Sequence, residues 1–268
     1  MNWFHLLSSS ELAAIVVLVT LVVSITGLAV TARRVRQTTL HQSLDNGAIA
    51  GILAALIGIY AIAAGLTAVA VWGNTGDAGA MVGREAAAIS VLYRDLGGYP
   101  QPVRHDARKA LIDYTEFIIV DEWPMHRKGE APTMSIKSVH DFERLLFDFE
   151  PTSEGQKIVH AQTLGAYNKL LEARRLRLQA VEDTALPLEL WVVVVLLGVI
   201  AISSCFLLRV EGFILHTTIT VLVAAPIALI LYFIAVTDRP FQGGISVSAE
   251  PYRAVLEKIM IPELEPRK

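Results

Sequence analysis

The sequence predicts an all-α membrane protein: four transmembrane helices, with a helical extramembrane domain between the second and the third. Three observations carry that expectation. Of 268 residues, 53% are hydrophobic and only 18% are charged, against roughly 25% charged in soluble domains. The charge-free runs are few and long, whereas a transmembrane β-barrel needs many short segments of alternating polarity. The charges are also segregated, since 32 of the 49 (14 basic, 18 acidic) fall between Asp77 and Glu189. A formal net charge of −3 and a single Cys exclude a polybasic nucleic-acid binder and an internal disulfide scaffold.

The first charge-free run, Leu12 to Ala32, is long enough at about 1.5 Å per helical residue to cross about 30 Å of hydrocarbon. Nothing basic precedes it, and Arg33, Arg34 and Arg36 follow it as a stop-transfer cluster, so it reads as a retained span rather than a cleaved signal peptide. The second run reaches from Asn46 to Gly76, the third from Leu190 to Leu208 and the fourth from Gly212 to Thr237. Residues 1–76 therefore hold spans one and two, 77–188 the extramembrane domain, and 189–237 spans three and four. The tail, 238–268, bears Pro and Glu and is expected to be partly extended.

Within the insert the hydrophobic spacing is helical. Val82, Ala86, Ile89 and Tyr93 form one stripe that continues from the second span. Val103, Ala107, Ala110, Leu111, Tyr114, Phe117 and Ile118 form another, and Leu164, Tyr167, Leu171, Arg174, Leu178 and Val181 a third. Breaks are expected at Gly97, Gly98 and Pro100, at Gly129 to Pro132, and at Glu150 and Pro151.

The second span carries the most informative pattern. Gly47, Gly51, Ala54, Gly58, Ala61, Gly65 and Ala68 recur at steps of 4, 3, 4, 3, 4 and 3, so one helical face holds only Gly and Ala. In lipid, close van der Waals packing of small residues is what holds helices together. The stripe is therefore either a packing seam within one chain or the wall of a conduit ringed by several copies. Ionisable side chains in membranes are costly and functional, and only His216 lies in a span, near an end from which it can snorkel.

Catalytic signatures such as HExxH, CxxC, GxSxG, a P-loop or GxGxxG are missing. His126 follows Glu122 at i+4, but the intervening Pro124 is expected to disturb a helical ligand pair, so no metal and no cofactor is expected. The polar residues of interest sit on apolar stripes. A charge on a buried face needs a partner, so Glu85 or Glu122 is expected to meet Arg174 or Arg177 in the domain interior. The sharper alternative is an ion-selecting vestibule, with Arg174, Arg175 and Arg177 enriching anions.

Two charge clusters oppose each other on orientation. Arg33, Arg34 and Arg36 draw the loop after span one into the cytoplasm and leave the insert outside, and the rule weights short loops most. Arg174, Arg175 and Arg177, near span three, draw the insert inward.

Several positions together resemble a known pattern. They are Asn46 at the head of span two; Arg84, Glu85 and Ala86 followed by Leu92, Tyr93 and Arg94; Tyr114; and Glu122 with Trp123. After them come Arg174, Arg175, Arg177 and Leu178, then Pro187 and Trp191, and finally Asp238, Arg239, Pro240 and Phe241 with Gly243. In this order and spacing the sequence is similar to the bestrophin-like domain family. The resemblance implies pentameric anion channels with four membrane helices per subunit, the second lining the pore, and a cytosolic helical region. The acidic calcium-clasp run of animal bestrophins is not found here, and span two is not rich in aromatics.

Together these readings predict a multi-pass protein of the inner cell membrane, a homo-oligomer conducting small inorganic ions passively, with anions first. Its partners are the bilayer, other copies of itself and small inorganic ions, with no nucleic acid, and it is not an enzyme. The candidate pore or packing residues are Asn46 and the Gly/Ala stripe. The candidate vestibule or polar-core residues are Glu85, Arg94, Tyr114, Glu122, Trp123, Arg174, Arg175, Arg177 and Asp238. The alternative is a membrane-anchored sensor or scaffold whose insert binds a ligand or partner.

Overall fold

The computed structural model describes residues 9–35, 45–132, 137–182 and 186–264. Among these the chain is helical, with no strand. The helices are α1 Ser9–Val35, α2 Asn46–Asp95, α3 Val103–Phe117, α4 Trp123–His126, α5 Lys137–Phe147, α6 Glu154–Glu182, α7 Leu188–Cys205, α8 Phe213–Thr237, α9 Glu250–Val255 and α10 Ile261–Leu264. Four of them, α1, α2, α7 and α8, are long and apolar enough to cross a membrane. Arg33 and Arg34 lie at the end of α1, while Arg36 falls outside the described residues.

Contacts divide the chain into two compact units. The first comprises Met1–Asn74, Thr184–Arg239 and Gly243–Ile245. Here α1 packs on α8 and α7 on α8, around Tyr60, Ala64 and Val71 of α2, Val194 and Ala201 of α7, and Ala224, Ile227 and Ile234 of α8. Close approach needs small residues at two points. A Cβ added at Gly27 would stand 2.8 Å from the Phe206 ring, and one at Gly198 would stand 3.1 Å from Ile227. Hydroxyls in the spans bond carbonyls four residues back, as Ser24 to Thr20 at 2.6 Å and Ser204 to Ile200 at 2.9 Å, which satisfies those donors without any partner from hydrocarbon. His216 does not snorkel. It is buried, and its Nε2 lies 2.9 Å from the Cys205 carbonyl, which closes the turn between α7 and α8.

The second unit comprises Thr75–Asp183, Pro240–Gln242 and Ser246–Lys268. The sequence stripes become its core: Val82, Ala86, Ile89 and Tyr93 from α2, Ala107, Leu111 and Tyr114 from α3, and Ala166, Tyr167 and Leu170 from α6. Each large apolar side chain buried there contributes roughly 1.5–3 kcal/mol.

The tail is helical in its second part, where α9, a π-helical turn Leu256–Met260 and α10 form a helical run whose Tyr252 and Met260 are fully buried, while residues 238–249 lie outside helices. One expectation is corrected: Pro124 does not disrupt the helix. A π-helical turn, Ile118–Glu122, joins α3 to α4, and Pro124 sits in the first turn of α4, where its missing N–H costs little.

Candidate functional site

Five helices of the second unit, and the π-helical turn between two of them, deliver charged and phenolic side chains to one buried point. Glu85 comes from α2, Tyr114 from α3, Glu122 and His126 from the turn and helix that follow, Arg174 and Arg177 from α6, and Tyr252 from α9. Arg174 and Arg177 are three residues apart and so share a face of α6. Arg177 is fully buried. Its Nε donates to Glu85 Oε2 at 2.6 Å, and its Nη2 to Glu122 Oε2 at 2.8 Å. Arg174 donates through Nη2 to Glu122 Oε1 at 2.5 Å and through Nη1 to Glu122 Oε2 at 3.2 Å, a two-pronged pairing.

The carboxylate of Glu85 is completed by two phenols. Tyr114 donates to Oε1 at 2.6 Å and Tyr252 to Oε2 at 3.0 Å. The Nδ1 of His126 stands 3.2 Å from the Glu130 carbonyl, which can only accept, so Nδ1 carries the proton. Nε2 is then free to accept from Nη1 of Arg177.

The electrostatics follow from this wiring. Two carboxylates face two guanidinium groups, so the cluster is neutral when His126 is. Burial works against the charged form of Glu122, but the Arg177 and Arg174 charges outweigh it and hold that carboxyl below its usual range. Burial, then the Arg177 charge, pushes His126 down to about 4. Burial and the Glu85 charge push the Tyr114 and Tyr252 phenols well above their ordinary value. Both carboxylates accept from several donors, so neither is open to a substrate. Chemically the arrangement is a clamp that ties α2, α3, α6 and α9 together.

Of the other candidate residues, only Trp123 packs against this cluster. Trp123 is buried beside it, its ring edge-on to Phe241 and Tyr252 at 5.9 and 5.7 Å. Arg94 is exposed and pairs with Asp95 at 3.7 Å. Arg175 is exposed. Asp238 belongs to the first unit, where its Oδ2 accepts from Trp191 Nε1 at 3.2 Å. Burial raises its pKa, and the Trp191 hydrogen bond opposes the rise. Asn46 is likewise engaged: its amide donates to the Arg209 carbonyl and accepts from the Arg209 N–H, both at 2.8 Å.

The Gly/Ala stripe is open over most of its length: a Cβ added at Gly51, Gly58 or Gly65 meets no atom within 4 Å, and Gly47, Ala54 and Ala61 are exposed, while Ala68 at its end packs on the core of the first unit. The buried side of this stretch is instead Ile49, Leu53, Tyr60, Ala64 and Val71. At about 100° per residue these two faces centre about 130° apart. A third face carries exposed Ile52, Ile59, Ile62, Leu66 and Val69.

Two members of the buried cluster were not singled out from the sequence. Tyr252 lies at helical spacing with Val255 and Ile259 in the tail, and that spacing was the available signal. His126 was set aside because of Pro124. Among the described residues no group of three or more His, Cys, Asp or Glu could hold a metal ion.

The sequence matches the Bestrophin-like domain family model over residues 15–252. Among solved structures, the chain is similar to a point variant of a bacterial bestrophin homologue from Klebsiella pneumoniae, at 10% identity and a TM-score of 0.66, covering 93% of this chain and 99% of that one. A second variant of the Klebsiella pneumoniae homologue gives 12% identity and a TM-score of 0.62, covering 94% and 98%. A structure described as a membrane protein gives 10% and 0.65, covering 95% and 99%. No curated protein matches the sequence. At these identities the structural likeness speaks to the fold.

Proposed function

The chain belongs to the bestrophin-like domain family, and on that premise we propose that it forms a homo-oligomeric channel, a pentamer in the cell's inner membrane. The channel passes small inorganic ions passively, anions first, and performs no catalysis. The observation that carries this reading is the exposed Gly/Ala face of α2. An all-small face offers lipid chains little to bury, and this one has no intrachain neighbour at Gly51, Gly58 and Gly65. Turned to the axis of a ring, it walls a conduit of backbone and methyl groups that gates by hydration rather than by rings of charge. The large apolar face of the same stretch is left for lipid and neighbouring copies.

Anion preference draws on exposed cations. Arg174 and Arg177 are neutralised in buried pairs, so they do not enrich anions at a mouth. Arg175 is exposed. Purified protein in liposomes should pass chloride, and Arg175→Glu should lower the chloride-to-potassium flux ratio. Absence of both chloride and potassium flux across a range of pH would count decisively against a channel.

A further inference from the structure

A groove of about 770 Å³ runs between residues 84–95 of α2 and residues 162–176 of α6. Its floor is made of small residues, Ala87, Ala88, Gly165, Ala166 and Ala173, and a Cβ added at Gly165 meets nothing within 4 Å. Arg84, Ala87, Val91 and Arg94 recur at steps of 3, 4 and 3, and Gly165, Lys169, Glu172 and Leu176 at steps of 4, 3 and 4. Two helices that present seams of this spacing to one gap leave the place of a third helix open. Apolar side chains reach into it, with Val91 40% and Leu176 38% exposed. Its walls carry three cations, Arg84, Arg94 and Lys169, against Asp95 and Glu172.

The chain carries a helix face that fits. On the outside of the run 103–126, Asp106, Lys109, Asp113, Glu116 and Val120 recur at steps of 3, 4, 3 and 4, and all are exposed. Asp121 adds a further exposed carboxylate. Val120 is 67% exposed, a large apolar side chain among acids. The face is net acidic where the groove is net basic, and a 24-residue helical run, about 36 Å long, exceeds the length of the groove. No chain can fill its own groove with it, since the other side of α3 is fixed in the core by Ala107, Leu111 and Tyr114.

We propose that this groove receives the acidic face of α3 from a second copy of the chain. The proposal rests on the homo-oligomer reading above and names the surfaces that build it. Socket and plug are different patches, so the contact is head-to-tail, and copies joined this way close into a ring when the rotation allows.

Cross-linking between differently tagged, co-expressed copies tests it. One copy carries Gly165→Cys and the other Val120→Cys, and both are exposed, while the native Cys205 is buried. A flexible bis-maleimide should join the two tags only when both cysteines are present. Arg84→Glu with Lys169→Glu in the socket copy should cut the yield by about tenfold, a change of about 1.4 kcal/mol, and Asp113→Lys with Glu116→Lys in the plug copy should restore it. If particles whose native mass is a multiple of 29.2 kDa give no joined band, the docking is wrong while the oligomer stands. A monomeric wild type overturns the axial channel, and the docking with it. Cross-linking of the socket cysteine to a foreign chain overturns the docking alone.

Discussion

In residues 46–74 of α2 a Cβ added at Gly51, Gly58 or Gly65 meets no atom within 4 Å, whereas in residues 78–95 Glu85 is fully buried and both its oxygens accept hydrogen bonds. One uninterrupted helix thus serves two economies of contact. The inward face of the later stretch, around Glu85, is saturated by its own chain, because a buried charge left alone is costly. The earlier stretch leaves much of two of its three faces exposed between Gly47 and Ile62, where lipid and other copies can sit at no electrostatic cost. The contrast teaches where each kind of substitution should be felt: in the fold for the saturated face, in assembly and conduction for the open ones.

The largest expected effect is Arg177→Met, which leaves Glu85 and Glu122 buried without their shared counter-charge. A destabilisation of about 3–5 kcal/mol should appear as a lowered thermal midpoint or lost folded yield, and a variant as stable as wild type would break the contrast. Next come two glycines of the first unit. Gly198→Leu drives a side chain into Ile227 and Tyr60 and should cost about 1–3 kcal/mol. Gly58→Leu should leave the thermal midpoint and native mass unchanged and alter conductance. Equal losses of folded protein from both would erase the distinction.

A pH series sharpens the saturated side. His126 titrates at about 4 in the folded chain and near 6.5 when unfolded, so between these values the unfolded chain takes up a proton that the folded chain refuses. Stability is therefore full above pH 6.5 and falls toward pH 4, at up to about 1.4 kcal/mol per unit. Lower still, the contribution of Glu122 is lost as pH falls through its depressed folded value. Thermal midpoints at pH 7 and pH 5 should differ less in His126→Gln than in wild type. The smallest effect is Tyr252→Phe, which removes one of the several donors to Glu85. A loss of about 1.5 kcal/mol in denaturant unfolding is expected, with ion flux unaltered.

Much of this architecture was legible beforehand. The charge-free runs marked all four spans, since length and apolarity decide whether a helix can cross hydrocarbon. The stripes at Val82, Val103 and Leu164 marked the later half of α2, α3 and α6, while no stripe marked α5. The pairing of Glu85 and Glu122 with Arg174 and Arg177 was legible for a related reason: a charge on an apolar stripe has few tolerable neighbours. Tyr252 was not, because a helix of a few turns flanked by Pro and Glu carries too few apolar positions to separate it from a loop. His126 was hidden by the prior that proline ends a helix, which the π turn before it overrides.

The spacing of small and large residues in span two belongs to the sequence alone, because it is fixed once the segment is a helix. Which of its faces is used within the chain does not. Ile49, Leu53 and Tyr60 bury while Gly51 and Gly58 stay open, and only the packing of α7 and α8 could decide that. A periodic pattern states which residues share a face, whereas the choice of face depends on neighbours more than a hundred residues away in sequence, whose approach no local energy encodes.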